Sequence, residues 1–250
     1  MQLEPTMFRE YDLRGLVNDD ELNVKSIFVI GKAYAAMLWQ RGIKSAVLGY
    51  DYRSYSEDLA NAMQKALLES GIDVISLGMI STPMMYASQY YYKTQGGVMI
   101  TASHNPNGWS GVKLALGYSH TLVPLEMQEL RKLTISQNFV SGCGKLQQKN
   151  CYEEYFADLK KRVQFERKLK VVVNTANAGM GAYLPKMLVR LGVEVVPLHN
   201  ELDWTFPFYN PNPSSVEMMD DTGAKVRETK ADLGIAIDAD GDRLGLTNEL

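Results

Sequence analysis

Short apolar runs alternate with longer stretches of helical periodicity along almost the whole chain, and this alternation narrows the fold more than any other feature. The runs AVLGY (46–50), DVISLG (73–78), GVMIT (97–101), LKVVVN (169–174), VEVVPL (193–198) and LGIAI (233–237) have the length and composition of buried strands. VKLAL (112–116) reads as one more. Between them, residues 23–40 place Val24, Ile27, Phe28, Ala35, Leu38 and Trp39 at helical spacing, and Gly42 follows as a stop. Ser54 and Glu57 read as a capping box opening a second helix, whose face carries Leu59, Ala62, Met63, Ala66 and Leu67 and which stops at Gly71. Pro83 opens a third helix through Tyr86, Tyr90, Tyr91 and Tyr92. Strand–helix alternation of this kind predicts an α/β fold with helices covering a largely parallel sheet.

The rhythm breaks over 136–150, SQNFVSGCGKLQQKN, which is polar and glycine-rich. A boundary there gives two consecutive α/β domains, 1–148 and 149–250, with mixed, largely parallel sheets covered by helices. The second is expected to hold helices near 151–163, 179–191 and 216–229, a proline-rich loop at 206–213, and RLGLTN (243–248) as a return strand. With 46% hydrophobic residues among 250, a disordered chain is excluded. Twenty-six basic residues against 29 acidic ones argue against a nucleic-acid surface or a polybasic membrane anchor. Three histidines and two cysteines are too few for a zinc ribbon or a disulfide scaffold, and Cys143 and Cys151 read as reduced thiols. The polar start MQLEPTMFREYDLRG is no secretory leader, and no apolar run approaches ~18 residues, so a cytoplasmic location is expected.

The strongest chemical signal is Asp238-Ala239-Asp240-Gly241-Asp242-Arg243, directly after the apolar run LGIAI. Three converging carboxylates repel one another and force at least one proton affinity upward, a conflict that a hard divalent cation removes. Oxygen-only donors suit Mg²⁺ or Ca²⁺ rather than zinc. The small residues Ala239 and Gly241 let the backbone bend, and the carboxyl end of a strand is where open α/β sheets bind ligands. An EF-hand loop also begins with alternating acids, but Arg243 stands where that loop requires glycine and a strand precedes it. A Mg²⁺-dependent aspartyl phosphatase uses a similar pair of acids and stays open as an alternative, as does a folded fragment without catalysis.

The second signal is Thr101-Ala102-Ser103-His104-Asn105-Pro106, where a strand gives way to turn residues and exposes a serine. No G-x-S-x-G surrounds Ser103, and the adjacent His104 is poorly placed by sequence to act as its base. Lys113, ten positions on, could return to the same pocket as a base or phosphate ligand. The third is Phe8-Arg9-Glu10-Tyr11-Asp12-Leu13-Arg14-Gly15, where two arginines, a tyrosine and a glycine could form an anion clamp or a surface arm with ion pairs.

Together these segments resemble the α-D-phosphohexomutase family, and its phosphoglucomutase/phosphomannomutase branch in particular. FREYDLRG is similar to that branch's N-terminal signature, TASHNP to its phosphoserine loop, and DADGDR to its magnesium loop. The stretch from KVVVNTANAGMG to FPFYNPNP resembles the family's second domain. The resemblance implies that Ser103 carries a phosphoryl group and that Ser103, Asp238, Asp240 and Asp242 hold Mg²⁺. It implies Lys113 as general base, His104 as assisting or positioning, Arg243 as a further catalytic residue, and Tyr11 and Arg14 as phosphate-binding groups, the last three lining the phosphoryl-transfer site. The implied reaction converts hexose 1-phosphate to hexose 6-phosphate through a hexose 1,6-bisphosphate, which also serves as activator. Two departures are Ser110, where the family has asparagine, and Ala239, where it has glycine. Members of the family have four domains, and nothing here matches the third or fourth. The expectation is therefore an N-terminal half that accepts a phosphoryl group but does not turn over sugar phosphate alone.

Overall fold

A computed structural model describes residues 3–249, which divide into two units. One contains the chain up to Ala102 together with Gly108–Cys151, and the other contains Ser103–Asn107 together with the chain from Tyr152 onward.

The first unit runs β1 (Leu13–Leu16), α1 (Val24–Gln40), β2 (Ser45–Tyr50), α2 (Ser56–Leu68), β3 (Asp73–Met79), α3 (Thr82–Tyr91), β4 (Gly96–Ile100), β5 (Trp109–Leu116), α4 (Pro124–Ser136) and β6 (Leu146–Gln148). Its six strands lie in the order β1-β5-β4-β2-β3-β6. The pairs β4/β2, β2/β3 and β3/β6 are parallel, because helices intervene between successive strands there. The segment between β4 and β5 is too short for a crossover helix, so β5 returns antiparallel and sets Lys113 opposite Met99. β1 then adds antiparallel to β5, with Arg14 opposite Gly111.

Beneath this sheet, α1 and α2 bury Ile27, Ile30, Tyr34, Met37, Leu38, Leu59, Met63 and Leu67. Each such aliphatic side chain contributes about 1.5–3 kcal/mol on leaving water. The Tyr34 hydroxyl reaches between two strands, donating to the Ala115 carbonyl at 2.6 Å and accepting from the Gly97 amide at 3.0 Å.

Helix α1 starts where the periodicity predicts, closed by a reciprocal cap in which Asn23 accepts from the Ser26 amide and Ser26 Oγ accepts from the Asn23 amide. The capping box expected at Ser54 and Glu57 is not formed. The chain is already helical at Tyr55 and α2 begins at Ser56, so Ser54 does not stand at the cap position. Three further elements lie outside the predicted pattern: β1, α4 and the exposed edge strand β6.

The second unit runs α5 (Tyr152–Arg162), β7 (Lys170–Asn174), a 3-10 turn (Gly179–Ala182), α6 (Leu184–Arg190), β8 (Glu194–Leu198), α7 (Val216–Thr229), β9 (Leu233–Ile237) and β10 (Leu244–Thr247). Its strands lie in the order β10-β9-β7-β8, parallel except for the return strand β10. The helix expected over 179–191 is broken into a turn and a shorter helix. Pro185 lacks the amide that a continuous helix would need, and it sits in the first turn of α6. Both sheets are thus mixed and mostly parallel, with helices packed against them. Among the described residues no helix is long and apolar enough to cross a membrane.

Candidate active site

Strand β9 is apolar, and its last residue, Ile237, is buried, so the next residue, Asp238, emerges at the carboxyl end of a parallel strand. Residues 238–243 then reverse the chain into β10, and Asp238 organises that reversal. Its Oδ1 accepts from the backbone amides of Gly241, Asp242 and Arg243, each at 3.1 Å. Gly241 has φ +77°, and a Cβ there would stand 2.5 Å from Met180 Sδ, so both the bend and the packing demand glycine. Ala239 is buried with Ala178 and Phe206.

Asp238 and Asp240 are buried and Asp242 sits at the surface. One oxygen from each lies within 4.8 Å of the others. Oxygens that share a divalent ion are separated by no more than ~4–5 Å, given bond lengths of about 2.0–2.6 Å. The geometry and the all-oxygen chemistry therefore fit a hard cation. Without one, Asp238 is pushed up to about 7, first by burial and then by the charges of Asp240 and Asp242; hydrogen bonds from Ser103 and the Arg243 amide act in the opposite direction.

Ser103 is brought to this cluster. It is fully buried, has φ +53° in the left-handed region, and its hydroxyl donates to Asp238 Oδ2 at 2.8 Å. A serine held in that region costs of order 1–3 kcal/mol, which the surrounding contacts must offset. His104 Nδ1 lies 3.4 Å from the same hydroxyl and also meets Arg243 Nη1. Because a guanidinium can only donate, Nδ1 accepts, and the ring's proton is assigned to Nε2. Asn107 closes the loop by donating to the Trp204 carbonyl at 2.7 Å. Ser103, His104, Arg243 and the three acids thus gather in the second unit.

Arg14, Lys113 and Tyr11 belong to the first unit. Arg14 is nearly buried, forms an ion pair with Asp12 through Nε and Nη2 at 2.8 Å, and donates from Nη1 to the Thr101 carbonyl at 3.2 Å. Lys113, only 9% exposed, lies on the same sheet face as Arg14, two residues along β5 from Gly111, which faces Arg14. Tyr11 is 55% exposed, in the bend before β1.

A second polar centre escaped the sequence reading. Asp51, at the carboxyl end of β2, is buried with Arg53, and neither side chain is solvent-accessible. Asp51 Oδ2 accepts from Arg53 Nη1, from Thr101 Oγ1 at 2.9 Å and from the Ala102 amide at 3.2 Å, while Oδ1 accepts from Ser56 Oγ at 2.6 Å. A charged pair directly after a buried strand was the available signal.

Residues 5–140 match the model of phosphoglucomutase/phosphomannomutase alpha/beta/alpha domain I, and residues 153–250 match that of domain II. The chain belongs to the phosphoglucomutase/phosphomannomutase family. Among its relatives, the phosphomannomutase/phosphoglucomutase of Pseudomonas syringae pv. tomato is 36% identical over 244 residues, covering 98% of this chain and 52% of the relative. A phosphoglucomutase of Neisseria meningitidis is 34% identical over 245 residues, covering 97% of this chain and 53% of the relative. A crystal structure of a family member from Burkholderia thailandensis superposes with a TM-score of 0.92 at 28% identity, over 99% of this chain and 55% of that one. The chain spans about half the length of the curated relatives it matches.

Proposed function

We propose that this chain carries the serine and cation centre of a phosphohexomutase, with Ser103 holding the phosphoryl group in transit. One observation carries the reading: a buried serine hydroxyl in a left-handed turn lies on a carboxylate of a three-acid cluster. Asp238, Asp240 and Asp242, with an oxygen on the Ser103 phosphate, would hold Mg²⁺. When bound, the ion supplies positive charge against a phosphoserine that carries about −1.5 to −2.

The remaining work falls to side chains. As phosphoryl leaves for a sugar hydroxyl, the P–O bond to Ser103 Oγ breaks and the bond to the sugar oxygen forms. The sugar hydroxyl loses its proton to a base, a role we assign to Lys113, and Ser103 Oγ is left to regain its proton and its hydrogen bond to Asp238. Arg243 fixes His104 and adds positive charge beside Asp242. Arg14 and Tyr11 are assigned to phosphate contacts. Catalysis of this kind is chiefly positioning and charge compensation.

The substrates proposed are hexose 1-phosphate and hexose 6-phosphate, with hexose 1,6-bisphosphate as intermediate and as the activator that loads Ser103. We assign the complete isomerisation to a protein of the relatives' length, acting in the cytoplasm. An aspartyl phosphatase would need Asp238 as nucleophile, but its two oxygens already accept four hydrogen bonds, three of them holding its own turn together.

Intact-mass measurement after incubation with glucose 1,6-bisphosphate and Mg²⁺ tests the reading. One added phosphoryl group is expected, and none in Ser103→Ala. Absence of the added mass, or its persistence in Ser103→Ala, would overturn it.

A further inference from the structure

The two ends of the serine loop are held by one short segment of the first unit. Asp51 grips the entry, accepting from Thr101 Oγ1 at 2.9 Å and the Ala102 amide at 3.2 Å, one residue before Ser103. Four residues on from Asp51, the Tyr55 hydroxyl grips the exit, donating to the Trp109 carbonyl at 2.7 Å and accepting from the Gly108 amide at 3.1 Å. Arg53, midway between them, pairs with the Asp51 carboxylate. Ser56 Oγ completes the set from the first residue of α2.

The alternation Asp51, Arg53, Tyr55 therefore has a physical meaning that helix capping does not supply. The entry and exit of a five-residue excursion are tied to one scaffold, and that scaffold is anchored in strand β2 and helix α2. The Arg53 guanidinium neutralises Asp51, so the grip on the entry adds no net negative charge close to a serine that must accept phosphate. Tyr55 acts through an uncharged hydroxyl for the same effect at the exit.

We propose that Asp51, Arg53 and Tyr55 form a brace that sets the conformation of the Ser103 loop and act as positioning residues for phosphoryl transfer. Resting on the functional reading above, the brace adds no group that touches substrate. What it supplies is preorganisation: without it, the left-handed turn at Ser103 is one of several conformers, and only the fraction in that turn reacts.

Tyr55→Phe removes one hydroxyl and leaves the ring; Asp51→Asn keeps the shape and removes the charge. In the 250-residue chain, three readouts are compared. Amide hydrogen exchange is expected to rise about tenfold in peptides spanning 101–109 and to stay unchanged in β7 and α7, a factor in the range of one to two lost hydrogen bonds. Phosphoryl incorporation from glucose 1,6-bisphosphate is expected to slow by about tenfold, with half-saturating bisphosphate and Mg²⁺ affinity by calorimetry both within about twofold of the parent. A folded Tyr55→Phe chain with parent exchange in 101–109 would overturn the brace, as would exchange raised evenly along the chain. Should the parent take up no phosphoryl group, the functional reading fails and the exchange result alone decides the brace. Should Asp51→Asn fail to fold, Tyr55→Phe carries the test.

Discussion

The hydroxyl of Ser103 donates to Asp238 Oδ2 at 2.8 Å across 135 positions of sequence, and the other oxygen of the same carboxylate ties together three backbone amides of its own loop. Asp238 is thus both the keystone of the 238–243 turn and the partner of the serine. The two roles are separable by substitution.

Asp238→Asn retains an oxygen for the three amides and loses the charge. The chain should fold, with stability in chelator at pH 8 equal to or above the parent, because a buried and repelled carboxylate is gone. Mg²⁺ affinity should drop by more than about tenfold. Calorimetric titration beside thermal unfolding checks both; a destabilised variant with parent affinity would contradict the assignment.

The pH dependence of the metal-free chain follows from the same residue. Asp238 is raised to about 7 in the folded chain, against ~3.9 for an unfolded aspartate. Between those values the folded chain holds a proton that the unfolded chain has released. Stability from this group is therefore present at low pH and declines as pH rises through the window. Unfolding midpoints in chelator should fall from pH 5 to pH 8 relative to Asp238→Asn, and Mg²⁺ should narrow the difference. Parallel profiles for the two proteins would refute this.

Gly241→Ala introduces a Cβ at φ +77° and 2.5 Å from Met180 Sδ. The thioether can shift, but the backbone strain remains, and a loss of about 1–3 kcal/mol is expected. Mg²⁺ binding should weaken in parallel, since the turn that aims the three acids is disturbed. Denaturant unfolding with and without Mg²⁺ reads both effects.

Tyr34→Phe deletes a hydroxyl inserted between β4 and β5. It strands the buried Gly97 amide and Ala115 carbonyl, at a cost of about 1–3 kcal/mol. Phosphoryl uptake by the folded fraction should match the parent, as Tyr34 lies in the core under the sheet. Urea unfolding and intact-mass kinetics separate the two.

The buried strands were legible because runs such as LGIAI and KVVVN carry their own burial signal in composition. β1 was not, since LRGL is a strand only through pairing with β5, a partner nearly a hundred residues away. In α4, only Met127, Leu130 and Thr134 are buried while Leu125 and Ile135 are exposed, so its apolar face is too thin to stand out. Site legibility divides along the same line. The acids of 238–242 are contiguous and announce themselves, and the turn chemistry of 101–106 marks Ser103. The work of Asp51 and Tyr55 is tertiary: each acts on a backbone group some fifty residues distant. The local reading of that stretch, a capping box at Ser54 and Glu57, fails because the chain is already helical at Tyr55 and α2 begins at Ser56.

The assignment of Ser103–Asn107 to the second unit, while the residues on either side of it belong to the first, bears on how such a gene can be cut and rejoined. A crossover near the Cys151/Tyr152 border would transfer the carboxylate turn without the serine that meets it. A hybrid would then match one parent's hydroxyl loop to another's acidic turn, with both compatible in sequence yet never selected as neighbours. The unit of inheritance for this chemistry is therefore the pair of segments, which lie in one folded body but far apart along the gene.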